Sequence, residues 1–211
     1  MALTGCFGRF EGAPSTSLAT RPPDAQPVPK GPPAEVMPLQ PGARYEYAAR
    51  YGIGAGQLSG QAVLSVLDAW RQGDSETARV AVVSSYAGRV RHDEYLFVRE
   101  GGWIGLRERP APAPPTAFLP EQLVGAAPWS VHTGEGTGTA TLEGREDLQL
   151  ATGRFKGCYR VRYHNAGNGT DWVLWLAPAV GLVQADVNMQ LGPLPLAAHL
   201  WLVGRDTALG S

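Results

Sequence analysis

The chain has 211 residues, 18 basic and 19 acidic side chains, a net charge of −1 and a pI near 6.4. That balance removes the electrostatic case for nucleic-acid binding, and 44% hydrophobic against 18% charged residues excludes wholesale disorder. No uninterrupted apolar run approaches the ~20 residues of a membrane-spanning helix, while 27 Gly, 18 Pro, six Trp, seven Tyr and five Phe suit β-structure with many turns.

In chain order, the first informative residues are Leu3-Thr4-Gly5-Cys6. An apolar residue and two small ones before a cysteine resemble the lipobox of bacterial lipoproteins, in which the cysteine is acylated after signal-peptide cleavage. The resemblance implies lipidation at Cys6 and attachment to a membrane through that lipid. Several acyl chains at ~0.8 kcal/mol per buried CH₂ hold firmly where one alone is marginal. The signal peptide's basic and apolar stretches would then stand upstream of Met1. Phe7, in place of the Asp linked to inner-membrane retention, implies the outer membrane of a diderm envelope. From Phe7 to about Met37 the chain is rich in Pro, Gly, Ser and Ala. Residues 1–37 are therefore expected as a disordered tether, reaching up to roughly 90 Å at ~3.1 Å per residue.

From Pro38 the hydrophobic period becomes two, and residues 38–211 read as a single all-β domain. Tyr45, Tyr47, Ala49 and Tyr51 share one face of a strand over 44–51. Gln61–Trp70 also fits a helix, but its Gly-rich flanks favour a strand. Thr77–Tyr86 and Arg89–Val98 form a pair around Ala87-Gly88, and Gly102–Arg107 and Thr137–Leu142 follow. Cys158–His164 and Thr170–Leu176 are joined by Asn165-Ala166-Gly167-Asn168-Gly169, whose Asn and Gly residues tolerate positive φ. Alternation over Val183–Leu191 and the segment Leu196–Val203 complete nine or ten strands. The run Arg109–Pro115 cannot enter a central strand and marks a long loop. The pattern predicts an antiparallel meander curled into a barrel or half-barrel. A faint repeat relates Pro38, Gly42 and Tyr45 to Pro120, Gly125 and Trp129, about 82 residues on; duplication and coincidence are both open.

The later half also resembles a pattern that recurs in uncharacterised bacterial lipoproteins. Its Gly-x-Phe-x-x-Cys element stands here as Gly153–Cys158, its Trp-x-x-Pro-x-Val-Gly-Leu-Val element as Trp175–Val183, and its Pro-Leu-x-x-Gly start as Pro38–Gly42. This resemblance implies fold and compartment and carries no activity.

No catalytic set is expected. His92, His132, His164 and His199 lie apart on different elements, without HExxH or CxxC spacing, so neither a metal nor a cofactor is expected. In His92-Asp93-Glu94 only His92 and Glu94 share a strand face, and Ser84-Ser85 lacks the glycines of a nucleophile elbow. Gly52–Gly56 does not complete a phosphate loop and reads as a hairpin turn. Cys158 is expected to be a buried, inert thiol. Arg160, Arg162 and His164 form a basic face opposite Tyr159, Val161 and Tyr163; it could meet an acidic group, or pair with Asp171 and Glu residues on neighbouring strands. Tyr45, Tyr47, Tyr159, Tyr163, Trp172 and Trp175 are the candidates for a cavity binding an apolar small molecule, against the alternative of a filled core. The expected function is that of a non-enzymatic, lipid-anchored envelope protein binding an apolar ligand or an envelope protein. A structural or assembly lipoprotein is the second reading, and an enzyme the third.

Overall fold

The computed structural model describes residues 20–28, 36–53, 55–107, 116–133, 136–191 and 194–206. Cys6 and the Arg109–Pro115 run lie outside them. No helix occurs among the described residues, and thirteen strands form one antiparallel sheet. They are β1 (Gln26–Pro27), β2 (Arg44–Ile53), β3 (Gly56–Gln72), β4 (Ser75–Tyr86), β5 (Arg89–Glu100), β6 (Trp103–Arg107), β7 (Thr116–Pro120), β8 (Trp129–Thr133), β9 (Gly136–Leu150), β10 (Gly153–Asn165), β11 (Thr170–Ala177), β12 (Gly181–Leu191) and β13 (Leu194–Asp206).

The expected all-β meander is present, curled into a nearly closed barrel. β2 to β7 run as neighbours, β8 to β13 do the same, and β13 pairs with β2 to join the halves. A seam remains between β7 and β8, where the Trp129 indole N–H donates to the Phe118 carbonyl (3.2 Å). The ambiguous stretch 61–70 lies inside strand β3. β7 and β8 were not foreseen, because five-residue strands flanked by proline and glycine leave almost no period to detect. At the β4–β5 turn, Ala87 (φ 49) and Gly88 (φ 73) give the two positive φ values of a type I′ turn, whose twist matches the strands it joins.

Residues 20–28, within the stretch read as tether, are seated on the sheet. β3 runs past the end of β2, and β1 pairs with the overhang: Gln26 with Arg71 and Pro27 with Trp70. Val28 N–H donates to the Ala69 carbonyl (3.2 Å), Gln72 bonds Asp24 (3.0 Å) and Arg21 pairs with Asp68. The physical reason is Trp70, which points outward from the barrel and is buried with Ala25 and Leu96 in a small cluster of its own. An indole on an outer face would expose a large apolar area, and this segment covers it.

The core fills the barrel interior. Tyr45, Tyr47, Ala49 and Tyr51 of β2 face inward, as do Val183, Ala185, Val187 and Met189 of β12. Gly138 shows how tightly one wall is packed: a Cβ there would sit 2.5 Å from the Tyr163 ring and 2.6 Å from the His164 carbonyl oxygen. Because that oxygen belongs to the paired backbone of β10, it cannot move aside. Gly138→Ala is expected to cost about 1–3 kcal/mol and to lower the melting temperature by several degrees in a thermal melt.

Candidate functional site

One end of the barrel carries the strand turns at 73–74, 101–102, 151–152 and 178–180 and the segment 36–43. Just inside it lies a cavity of about 110 Å³, partly open to the outside and almost wholly apolar. Its wall includes Tyr45 and Tyr47 of β2, Ala62 and Leu64 of β3, Val82 of β4, Tyr95 and Phe97 of β5, and Leu174 and Leu176 of β11. Met37, Pro38 and Leu39 close one side and Val180, Gly181 and Leu182 another. These two closing elements touch. Pro38 Cδ lies 3.3 Å from where a Gly181 Cβ would be, and the Gly181 φ of 91° already excludes most side chains. Two parts of the lipoprotein-like pattern, the Pro38 start and the Trp175–Val183 element, thus meet at the cavity mouth.

The Tyr45 and Tyr47 hydroxyls are spent on holding this end together. Tyr45 donates to the Pro38 carbonyl and Tyr47 to the Leu182 carbonyl, both at 3.0 Å. Burial pushes both phenols up, so neither supplies a phenolate at neutral pH. They act as scaffold and apolar wall.

The other candidates divide between the faces. Tyr163 and Trp172 are paired across β10 and β11 and face inward, with ring centroids 4.5 Å apart. Tyr159 also faces inward, with Arg145 donating to its hydroxyl and lying 4.2 Å from its ring centre. Trp175 alternates with Leu174 and Leu176 and so points outward; its indole donates to Glu146, and Arg160 lies 5.7 Å from the ring. No tryptophan stands in the cavity wall. Trp70, Trp175 and Trp201 face outward and Trp103 sits exposed at the strand rim, which leaves Trp129 and Trp172 directed inward.

Arg160, Arg162 and His164 line up on the outer face, but the acidic pairing is what forms there. Arg160 lies 3.2 Å from Glu143, and Arg162 is bound by Glu143 (2.5 Å) and Asp171 (2.6 Å). Donating hydrogen bonds to Glu143 and then to Asp171 holds the Arg162 guanidinium still more firmly protonated. These ionic partners neutralise the row, which is no free cationic patch. His92 and Glu94 face outward on β5, away from the cavity. Inward from the same strand come Arg91 and Asp93, an ion pair (2.6 Å) that the sequence reading passed over. Asp93 stands directly across the ladder from Val82 of the cavity wall. Strict alternation along Arg89–Val98, phased on Tyr95 and Phe97, was the signal that would have found it. Among the described residues no group of three or more His, Cys, Asp or Glu is placed to hold a metal ion.

No protein-family model matches the chain, and no curated protein matches it. Among solved structures it is similar to a protein of Bacteroides fragilis described as exported and of YmcC-like fold, at a TM-score of 0.56 and 11% identity, covering 82% of this chain and all of that one. It is also similar to a protein of Parabacteroides distasonis described as a lipoprotein, at a TM-score of 0.53 and 13% identity, covering 82% of this chain and 99% of that one. At such identities the likeness is one of fold.

Cys158 is fully buried, and its thiol lies 3.6 Å from the Phe155 carbonyl oxygen. Burial pushes the thiol up, which leaves little thiolate to react. In the folded protein Cys158 is expected to resist iodoacetamide at pH 8 for hours and to label within minutes in guanidinium, as read by intact-mass spectrometry.

Proposed function

We propose that this chain is a lipid-anchored protein of the bacterial cell envelope, at the outer membrane, whose barrel holds a small apolar ligand or the apolar tip of a larger one. The observation that carries the reading is the cavity of about 110 Å³, closed on one side by Met37, Pro38 and Leu39, where the proposed tether enters the domain. A dry apolar cavity of roughly 150 Å³ accepts a benzene-sized molecule, so this one suits an apolar group somewhat smaller than benzene, with the mouth admitting the remainder. The exported and lipoprotein descriptions of the two structural relatives support the compartment, and the Leu3–Cys6 motif supports the anchor. The chemistry proposed is binding: the Tyr45 and Tyr47 hydroxyls are committed to backbone carbonyls, and the inward Asp93 carboxylate is paired with Arg91.

Native mass spectrometry of the full chain purified from a bacterial envelope tests the ligand. An apolar adduct is expected, and Ala62→Leu, which fills part of the cavity from β3, should remove it while leaving the melting temperature within a few degrees. A clean apo mass in the wild type would favour the structural or assembly reading with a filled core. Anchoring is tested separately by Cys6→Ser in the full-length gene: the protein should leave the membrane fraction, and continued partition with membranes would sink the lipid-anchor reading.

A further inference from the structure

The end of the barrel that holds the cavity is poor in charge. Val36–Ala43, Gly101–Trp103, Gln122–Pro128, Leu148–Gly153 and Ala177–Leu182 contain no charged side chain, and the turn at 73–74 contributes Asp74. Trp103 and Val124 stand out from this end at relative exposures of 37% and 65%. Trp103 pairs with Pro120, and the Glu121 N–H donates to the Gly102 carbonyl (2.9 Å), which ties the turn at 101–102 to the loop that carries Val124. The cavity lies between these loops and the strap, since its wall includes Phe118, two residues before Pro120, as well as Met37–Leu39 and Val180–Leu182. At the opposite end the exposed large apolar side chains are Leu58 and Val90, each set between polar neighbours: Gln57 and Ser59, Arg89 and Arg91.

Single exposed apolar side chains are ordinary. An uncharged rim that presents a tryptophan beside an apolar opening is the composition of a surface seated in a lipid headgroup layer, where an amphipathic indole is favoured. The chain also joins the barrel here: Gln26 and Pro27 pair with Arg71 and Trp70, two and three residues before Gly73. Cys6 stands 14 residues before Thr20, a reach of at most roughly 45 Å at ~3.1 Å per residue. The 17-residue β3 alone spans roughly 55 Å, so a lipid on Cys6 keeps this end nearest the membrane. The charges bordering the rim select the kind of lipid. Arg71 and Arg99 are bound by Glu76, Arg99 also by Glu121, and Arg154 by Asp147. Asp74 and Glu100 add negative charge, so no cationic surplus is left for an anionic headgroup.

We infer that the cavity end of the barrel docks on a zwitterionic lipid surface, with Trp103 and Val124 in the headgroup layer and the mouth facing the acyl chains. The membrane itself rests on the anchored reading, so the test supplies the anchor chemically. The unacylated full chain is coupled through Cys6 to a maleimide-bearing lipid in phosphatidylcholine vesicles, Cys158 being shielded by burial. Wild-type emission minus that of Trp103→Phe isolates the Trp103 share. With phosphatidylcholine brominated high on its chains, that share should lose at least half its intensity, while Val90→Trp, a reporter at the far end, should keep its added emission. Val124→Glu should abolish the Trp103 quenching without shifting the melting temperature, because the side chain is exposed. Adding phosphatidylglycerol should not deepen the quenching; a deeper loss would overturn the zwitterionic assignment. An unquenched Trp103 would overturn the docking and leave the anchor and the cavity standing. Quenching of the Val90→Trp reporter in its place would move the contact to the far end and overturn it too. So would a concentration-dependent dimer that Val124→Glu dissolves, which would give the rim to a second copy of the chain. Because coupling replaces acylation, none of these outcomes depends on the Cys6→Ser fractionation.

Discussion

The ladder between β2 and β13 is the contact on which the rest of the molecule depends. An open sheet of twelve strands would expose two edges and an apolar face too wide for any single layer in this chain to cover. Pairing the first long strand with the last one, from Leu196 with Ile53 to Asp206 with Arg44, rolls that face inward. It also sets where the seam falls. With the ends of the domain joined, the unpaired edges are β7 and β8 in mid-chain, on either side of the proline-containing stretch at 120–128. Proline cannot donate to a ladder, so the seam lies where the sequence is least able to close it. There Trp129 spans the gap with one indole hydrogen bond instead of a row of backbone ones.

Closure leaves room at one end, and small residues help to set where. Ala62 in the cavity wall sits opposite Tyr47 on one side and Ser84 on the other, so a large ring is followed by two short side chains in one row of the sheet. Further along β2 and β3 the row of Ala49 and Gly60 is smaller still, and the Tyr51 ring comes to within 2.8 Å of a would-be Gly60 Cβ. Towards the mouth, Met37 adopts a φ of 50°, unusual for a residue with a side chain. Holding it there keeps Pro38 against Gly181 and its carbonyl within reach of Tyr45, so local backbone strain is offset by packing and one buried hydrogen bond.

Period-two alternation made the inward faces of β2, β10 and β12 legible, because one buried face per strand imposes it. It also placed Tyr45 and Tyr47 correctly together. It could not say which of several inward aromatics would surround empty space, since cavity position depends on what stands across the barrel, and that is set by the β2–β13 closure. Trp175 shows the limit from the other side. In a strand as uniformly apolar as Thr170–Ala177 the alternation is masked, and an outward indole satisfied by Glu146 and Arg160 reads the same as an inward one. The Ala25–Val28 contact was hidden for a different reason: a proline-rich segment has no period, and only the exposed-side Trp70 of β3 explains why it docks.

The faint repeat in the sequence has a structural counterpart. Gln40-Pro41-Gly42-Ala43 and Leu123-Val124-Gly125-Ala126 both close with a hydrogen bond from the fourth residue to the first, at 3.0 and 3.2 Å, and both carry glycine at φ near 80°. These are the marks of a type II turn. Each turn leads within a few residues to an inward aromatic, Tyr45 or Trp129, that donates to a carbonyl upstream of the turn. Each then opens a six-strand meander. The same local solution therefore starts both halves, and they diverge in what the aromatic secures. Tyr45 ties a strap across the cavity mouth, whereas Trp129 ties the seam. The half that begins with Tyr45 could leave its interior partly open, because its closing contact lies at the end of the barrel and not along its side.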